Sequence, residues 1–439
     1  MNQQFKLMRE KRFLPFFLTQ FLGALNDNVF KTALITMVVF HATDISSLDS
    51  ASLATLLPGV FILPFFLFSA SAGQFADKFE KSALIRFVKL FEVLLMLLAS
   101  LGFLLHLFSL LVLALFMMGM HATLFGPVKY AYLPQHLAET ELVGGNGMVE
   151  MGTFIAILLG QIIGAWLGMH PTGELMTGLS VISLALMGYF ASRQIPYSPA
   201  SDAGLQINCN PIVETGRNIA FIFKNQPIWL AVIGISWFWF YGATLLAQFP
   251  VFAKDVLHGD ESVFILLLAV FSVGVGIGSL LCEKLSKGLV EIGLVPIGAI
   301  GLTIFGVDLS ASSASIHAAF GADALLSTAS HFASGMMPSR LLADIALIGI
   351  FGGIYIVPLY TLIQSRAEKS HQSRVIAANN IMNALLMVLS AVFAMLMFKL
   401  GLNIPQLFLV TALLNLLVIA YLCLRQPEYF SRMKSWLGL

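Results

Sequence analysis

Long apolar runs separated by short polar breaks organise this chain from end to end. They cover roughly 13–40, 51–73, 83–105, 107–129, 148–168, 174–192, 228–252, 262–282, 289–309, 341–363, 375–399 and 404–425. Each approaches the ~20 apolar residues that a helix needs to cross a bilayer. In lipid a backbone must satisfy its own hydrogen bonds, so only helices and closed barrels span, and continuous runs of this length select helices. The pattern predicts an all-α membrane protein with twelve transmembrane helices. The first run follows Lys6, Arg9, Lys11 and Arg12 as a signal peptide would, but it is far longer than a signal core of about 7–15 residues and contains Asp27 and Lys31. It is expected to be a retained helix.

Composition strengthens that reading. Hydrophobic residues make up 58% of the 439 positions and charged residues 11%, less than half the charged fraction of soluble domains. The formal net charge of +1 leaves no basic face for nucleic acid and no acidic tail to explain. Basic residues favour cytoplasmic loops. With the amino terminus inside, 19 of the 24 Lys and Arg residues fall on the cytoplasmic side, so both termini are expected there. Cys209, Cys282 and Cys423 also fall on that side, where thiols stay reduced, and no disulfide is expected.

The longest polar interruption between spans six and seven contains Pro196, Pro199, Ser201, Gly204 and Pro211. It divides the chain into an amino-terminal six-helix half (1–192), a cytoplasmic connector (193–227) and a carboxy-terminal six-helix half (228–439). The Ala- and Ser-rich stretch 310–340 reads as a flexible external loop. An internal repeat supports the two halves. Pro127–Glu150 aligns with Pro358–Asn383 after a two-residue gap, bringing Asn146 over Asn379 and Glu150 over Asn383. Parallel repeats with a substrate site between rocking halves are a known transporter design.

After span two, Gly73, Asp77, Lys78 and Lys81 form G-x-x-x-D-K-x-x-K, which resembles the loop motif of the major facilitator superfamily, with Glu80 in place of its second glycine. The other half carries a degraded copy in Gly278, Glu283, Lys284 and Lys287. Glycine permits close helix approach, and a carboxylate can cap a neighbouring helix. Asp77 is therefore read as part of a conformational latch, while Lys78 and Lys81 serve either the latch or simple cytoplasmic retention.

Charges inside spans are costly and face a partner or a watery cavity. Asp27 lies about 21 Å along span one, near midplane, flanked by Asn26 and Asn28 and one turn from Lys31. It reads either as a ligand for a substrate cation or proton, or as an internal pair with Lys31. Lys89 and Glu92, three apart, read as a self-neutralising pair. His121 reads as a core histidine. Glu150 has no basic residue one turn away and takes Lys129 as its obvious partner, although Lys129 alone also reads as a topology charge. Spans of the second half offer mostly neutral polar groups, among them Tyr241, Tyr355, Tyr360, Asn379, Asn380 and Asn383, expected to join helices by hydrogen bonds.

Phosphate-loop, nucleophile-elbow and H-E-x-x-H patterns are absent from the sequence, as is a His followed five positions later by Asp. An enzyme is not expected, nor a cofactor or metal.

The segments FLGALNDNVFKTAL (21–34), GQFADKFEK (73–81), FGPVKYAYLPQ (125–135), GGNGMVEMGTFIAILLG (144–160) and SWFWFYGATLLAQFP (236–250) together resemble the lysophospholipid transporter family of the major facilitator superfamily. The resemblance covers most of the chain. It implies a flippase in the bacterial inner membrane that moves lysophosphatidylethanolamine-type lipids from the outer to the inner leaflet, where an acyltransferase partner re-acylates them; separately, the protein is expected to be a monomer. By motif position the resemblance carries Asp27, Lys129 and Glu150 over as polar-cavity residues, with Asn28, Lys31 and Asn146 beside them as substrate-binding candidates. A lysolipid head group offers a phosphate for lysine and an ammonium for a carboxylate. The alternative is a proton-coupled exporter of small amphiphilic molecules.

Overall fold

The computed structural model describes residues 3–40, 50–208, 210–319, 327–334 and 336–438. Eleven of its helices are long and apolar enough to cross a membrane. A twelfth long helix, α1 (Leu14–Phe40), carries Asp27 and Lys31 within its apolar run. The others are α2 (Ser50–Lys78), α3 (Lys81–Leu104), α4 (Phe108–His136), α5 (Glu139–Met169), α6 (Gly173–Ser192), α7 (Gln226–Val251), α8 (Glu261–Ser286), α9 (Leu294–Ala319), α10 (Met336–Arg366), α11 (Gln372–Lys399) and α12 (Ile404–Arg425). Four shorter helices, Gln3–Leu7, Pro211–Lys224, Ala329–Ala333 and Glu428–Leu437, complete the described helical set, apart from single turns. An isolated bridge between Gly259 and Ser327 is the extended pairing among the described residues.

The side chains explain why these helices belong in lipid. Along α3, Phe87, Leu90, Leu94, Leu97, Leu101 and Leu104 are exposed while Lys89, Glu92 and Ser100 are buried. That polarity is inverted relative to a helix on a soluble surface, and it suits an apolar solvent outside and a polar interior.

The chain forms two compact units. The first comprises Met1–Gly145, Ile155–Asn225 and Gln364–Ile381. In it α1 and α5 approach at backbone distance: a Cβ on Gly160 would stand 2.9 Å from Leu25 O, on Gly164 2.6 Å from Val29 O, and on Gly168 2.9 Å from Ala33 O. This small-residue stripe of period four is the usual means of close packing without a hydrophobic driving force. Before α1, Arg12 forks onto Glu141 at 2.8 and 2.7 Å and reaches His136 O at 2.7 Å, fastening the chain to the turn between α4 and α5.

The second unit comprises Asn146–Phe154, Gln226–Ile363 and Met382–Leu439. Here α8 and α10 interlock through glycine, since a Cβ on Gly274 would lie 2.5 Å from Ala346 O and one on Gly349 2.5 Å from Phe271 O. Of the neutral polar residues expected to join helices, Tyr241, Tyr355 and Asn383 do so: Tyr241 donates to Leu302 O at 3.0 Å, Tyr355 to Gly234 O at 3.1 Å and Ser236 to Asn383 Oδ1 at 2.9 Å, while Trp237 donates to Asn415 Oδ1 at 2.8 Å.

Helix ends differ from the apolar runs. Helix α5 begins at Glu139, well before the apolar run, because Ala138 starts a capped turn in which Glu141 reaches back to the Ala138 amide at 2.8 Å. Most of the repeated segment is therefore helix, with Leu137 and Ala138 joining α4 to α5. Much of 310–340, read as a flexible loop, is also helical, since α9 runs on to Ala319 and α10 starts at Met336. Alanine is the best helix former, which hydropathy does not register. Cys282 and Cys423 are free thiols; Cys209 lies outside the described residues.

Candidate functional site

Three helices of the first unit converge on a buried ionic cluster. Lys89 and Glu92, one turn apart on α3, form an ion pair with side chains 1% and 0% exposed. Room for the Lys89 ammonium comes from two glycines on other helices, because a Cβ on Gly23 would lie 2.8 Å from Nζ and one on Gly188 2.9 Å from Cε. Asn26 Nδ2 donates to Glu92 Oε1 at 2.8 Å.

His121, on α4, completes the cluster. Its Nε2 stands 3.4 Å from Glu92 Oε2, its Nδ1 stands 3.8 Å from Asp27 Oδ1, and its ring stacks on Phe125 at 6.3 Å. Neither distance is a hydrogen bond of good geometry, and both ring nitrogens are buried without such a partner among the described residues. An imidazolium here would face two carboxylates; a neutral ring turns a lone pair toward one of them. The sequence reading gave His121 a core role and missed this placement. The available signal was the scarcity of ionisable groups in the first six spans, which leaves few partners for each carboxylate.

Asp27 is 16% exposed, the most accessible carboxylate of the cluster. Lys31 does not pair with it within 4 Å; its ammonium lies 5.1 Å from the Phe61 ring centroid. Asn28 donates to Ala24 O on its own helix at 2.8 Å, with its Cβ against Gly160. Lys129, in the first unit, rests over the Tyr130 ring at 5.0 Å. Asn146 and Glu150 belong to the second unit, both buried, with Asn146 donating to Thr361 Oγ1 at 3.2 Å. Asn379, aligned with Asn146 by the repeat, is fully buried in the first unit, and neither of its amide atoms has a hydrogen-bond partner among the described residues.

The loop motif builds a second site in the same unit. Gly73 lets α2 meet the first turn of α11, where a Cβ would stand 2.7 Å from Ala377 Cβ and 3.0 Å from Arg374 Cα. Four residues on, Asp77 accepts from the Ser373 amide and from Arg374 Nε, both at 3.0 Å. A buried carboxylate thus caps the positive end of α11 and neutralises an arginine. The loop motif by itself does not name Arg374 as its partner. Lys78 is half-buried, and Lys81 donates to Ser201 Oγ in the connector at 2.7 Å.

Glu80, the departure from the motif, has an assigned task. Its backbone is extended (φ −60°), so glycine is not required there, and its carboxylate caps α3 by accepting from the Ser82 and Ala83 amides at 3.1 Å. It also accepts from the Ser198 amide at 3.2 Å. Burial disfavours the charged form of Glu80, but these hydrogen bonds, that of the Ser82 hydroxyl foremost, outweigh it and hold the carboxyl below its usual range.

The profile of the Major Facilitator Superfamily matches residues 16–341. Over 354 residues the chain is 27% identical to the lysophospholipid transporter LplT of Escherichia coli (strain SE11) and to that of Shigella boydii serotype 4 (strain Sb227), spanning 80% of this chain and 79% of each relative. In fold it is similar to the transporter FucP in its outward conformation, with TM-score 0.68 and 13% identity over 95% of this chain and 100% of that one. It is likewise similar to a bacterial homologue of the iron transporter ferroportin in an outward-facing state, with TM-score 0.64 and 17% identity over 92% and 99% of the two chains.

Proposed function

The chain belongs to the major facilitator superfamily and is a multi-pass membrane transporter, not an enzyme, and we propose that its solute is a lysophospholipid of the phosphatidylethanolamine type. The observation that carries this reading is Asp27, a partly accessible carboxylate at the edge of an otherwise buried ionic cluster, with Lys31 one turn along the same helix. A head-group ammonium pairs with Asp27, and the phosphate pairs with Lys31, about 6 Å further along the axis. The likeness to proteins named lysophospholipid transporter supports the same solute.

On this reading the lipid moves from the outer to the inner leaflet of the bacterial inner membrane by alternating access of halves 1–192 and 228–439 about the connector 193–227. An acyltransferase then re-acylates it. Both termini face the cytoplasm, and the protein works as a monomer. Asn28, Lys129, Asn146 and Glu150 are further head-group candidates on the grounds of their motif positions, and Gly73, Asp77, Lys78 and Lys81 form the conformational motif.

Labelled lysophosphatidylethanolamine in reconstituted vesicles tests the proposal. Wild-type protein should move it between leaflets, and folded Asp27→Asn should do so at least about tenfold more slowly, as expected when a charge-assisted hydrogen bond is lost. Equal rates would remove Asp27 from the site.

His121 between two carboxylates favours one second reading, a proton-coupled exporter of small amphiphiles. An imposed pH gradient separates the two, because the exporter alone should accumulate a cationic dye against its gradient.

A further inference from the structure

The connector helix Pro211–Lys224 is amphipathic the wrong way round for a helix facing water. Asn210 caps it by accepting from the Ile212 and Val213 amides at 3.1 Å, and Pro211 occupies its first turn. Glu214, Asn218 and Ile222, spaced by four, are its buried residues, at 6%, 5% and 0% exposure. Ile212 and Phe223 are instead 82% and 65% exposed, and Val213, Gly216 and Ala220 are exposed with them. At 100° per residue these five positions fall within an arc of about 100°. The arc is apolar throughout, and Arg217 and Lys224, both exposed, border one side of it.

The inner face is occupied by protein. Phe221 stacks on His371 at 4.6 Å, and Glu214 is turned away from the apolar arc, 3.4 Å from Asn208 Nδ2 and 3.6 Å from Arg217 Nη1. No acidic side chain lies on the exposed arc. The helix sits between the end of α6 at Ser192 and the start of α7 at Gln226, so both of its chain connections enter membrane-spanning helices. Basic residues beside an apolar arc are the pattern of helices that lie in an anionic lipid interface.

The segment before this helix is tied to the loop motif at each step. Ser198 N reaches Glu80, Ser201 Oγ accepts from Lys81, the Asp202 amide donates to Asp77 O at 2.8 Å, and Asn208 exchanges bonds of 2.7 and 3.1 Å with Gln74. Hydrogen bonds thus connect the segment leading into the helix with the residues around Asp77.

We propose that the connector helix is a lipid-binding surface, seated in the cytoplasmic leaflet by its apolar arc and held there by anionic phospholipid head groups on Arg217 and Lys224, and that from this seat it steadies the Asp77–Arg374 contact. The inference does not depend on the solute carried. It makes the conformational equilibrium responsive to the anionic lipid content of the inner leaflet.

The test uses the full chain with its cysteines replaced by serine and one nitroxide placed at position 212, 223 or 218. The protein is reconstituted in phosphatidylcholine vesicles with or without about 30% phosphatidylglycerol, an anionic load that creates the surface potential in question. Labels at 212 and 223 should be more accessible to oxygen than to an aqueous nickel reagent, increasingly so with phosphatidylglycerol, while the label at 218 should be reached poorly by both. A label at 213 replaces that at 223 if the latter does not yield folded protein.

Arg217→Gln with Lys224→Gln should abolish the phosphatidylglycerol increment and leave the phosphatidylcholine values in place. Exchange of the Ser373 amide, which donates to Asp77, should slow roughly threefold or more with phosphatidylglycerol in the unlabelled wild-type chain and not in that double variant. Labels at 212 and 223 that report water in both vesicle types overturn the lipid seat. An increment that survives loss of both cations overturns their role, and Ser373 exchange indifferent to lipid overturns the link to the latch.

Discussion

His121 Nε2 lies 3.4 Å from Glu92 Oε2, while the other ring nitrogen, Nδ1, stands 3.8 Å from Asp27 Oδ1. The imidazole therefore joins the deeply buried Lys89–Glu92 pair to the one carboxylate that retains access. Breaking the fully buried Lys89–Glu92 pair is expected to disturb the cluster, which gives the first prediction. Glu92→Gln leaves the Lys89 ammonium buried without its counter-charge, and such a loss costs about 3–5 kcal/mol. A large drop in thermal midpoint in detergent should follow, and Lys89→Met in the same chain should recover most of it. A Glu92→Gln variant as stable as wild type would mean that Lys89 is not held by Glu92.

Asp27 should separate function from stability. The Asp27→Asn side chain keeps its volume and can still face His121, so the midpoint should move by less than about 1 kcal/mol equivalent, within the range of substitutions that leave packing intact. Transport of lysophosphatidylethanolamine should nevertheless fall. His121→Gln, measured in parallel, should lower transport as well, because its ring nitrogens stand 3.8 Å from Asp27 Oδ1 and 3.4 Å from Glu92 Oε2.

The contact between Asp77 and the first turn of α11 should be severed from either side. Asp77→Asn loses a hydrogen bond to a charged group, worth about 1.5–3 kcal/mol, and Gly73→Leu drives a side chain into Ala377 and Arg374. Each should speed amide exchange at Ser373 and Arg374 by roughly tenfold or more. Unchanged exchange in both would show that this contact does not hold α11.

Glu80 sets a pH expectation whose sign follows from its lowered carboxyl value. A carboxyl that is more acidic folded than unfolded contributes its stability above the unfolded value, about 4.3, and loses it as pH falls through the folded value. Thermal midpoints of wild type and Glu80→Gln should therefore differ at neutral pH and converge in acid below that range. Curves that stay parallel down to pH about 3 would contradict the capping role, given that reference value.

Hydropathy alone made the twelve long helices legible, because a bilayer asks for length and apolarity and little else. It placed their lipid-facing stretches well and their polar ends poorly: α5 starts at Glu139, where a cap and an arginine partner, not apolarity, carry the helix. The Gly73–Asp77 spacing announced a close helix approach, but not that Arg374 would answer it, since that pairing joins residues 297 apart. Lys89 and Glu92 were readable as a pair because one helical turn separates them. His121 was not, because its partners come from α1 and α3, and no local pattern encodes which helices become neighbours.

The separation between Asp77 and Arg374 also has a consequence for biosynthesis. Ribosomes add about 5–20 residues per second, so the Asp77 carboxylate waits roughly 15–60 seconds at that rate for Arg374 to be made. Gly73 leaves the adjoining groove open for the same interval, and the segment 364–381 that completes the first unit arrives only after most of the second has been synthesised. A nascent chain paused before α11 is thus an incomplete first unit with an uncapped acid, the form in which membrane quality control would meet it.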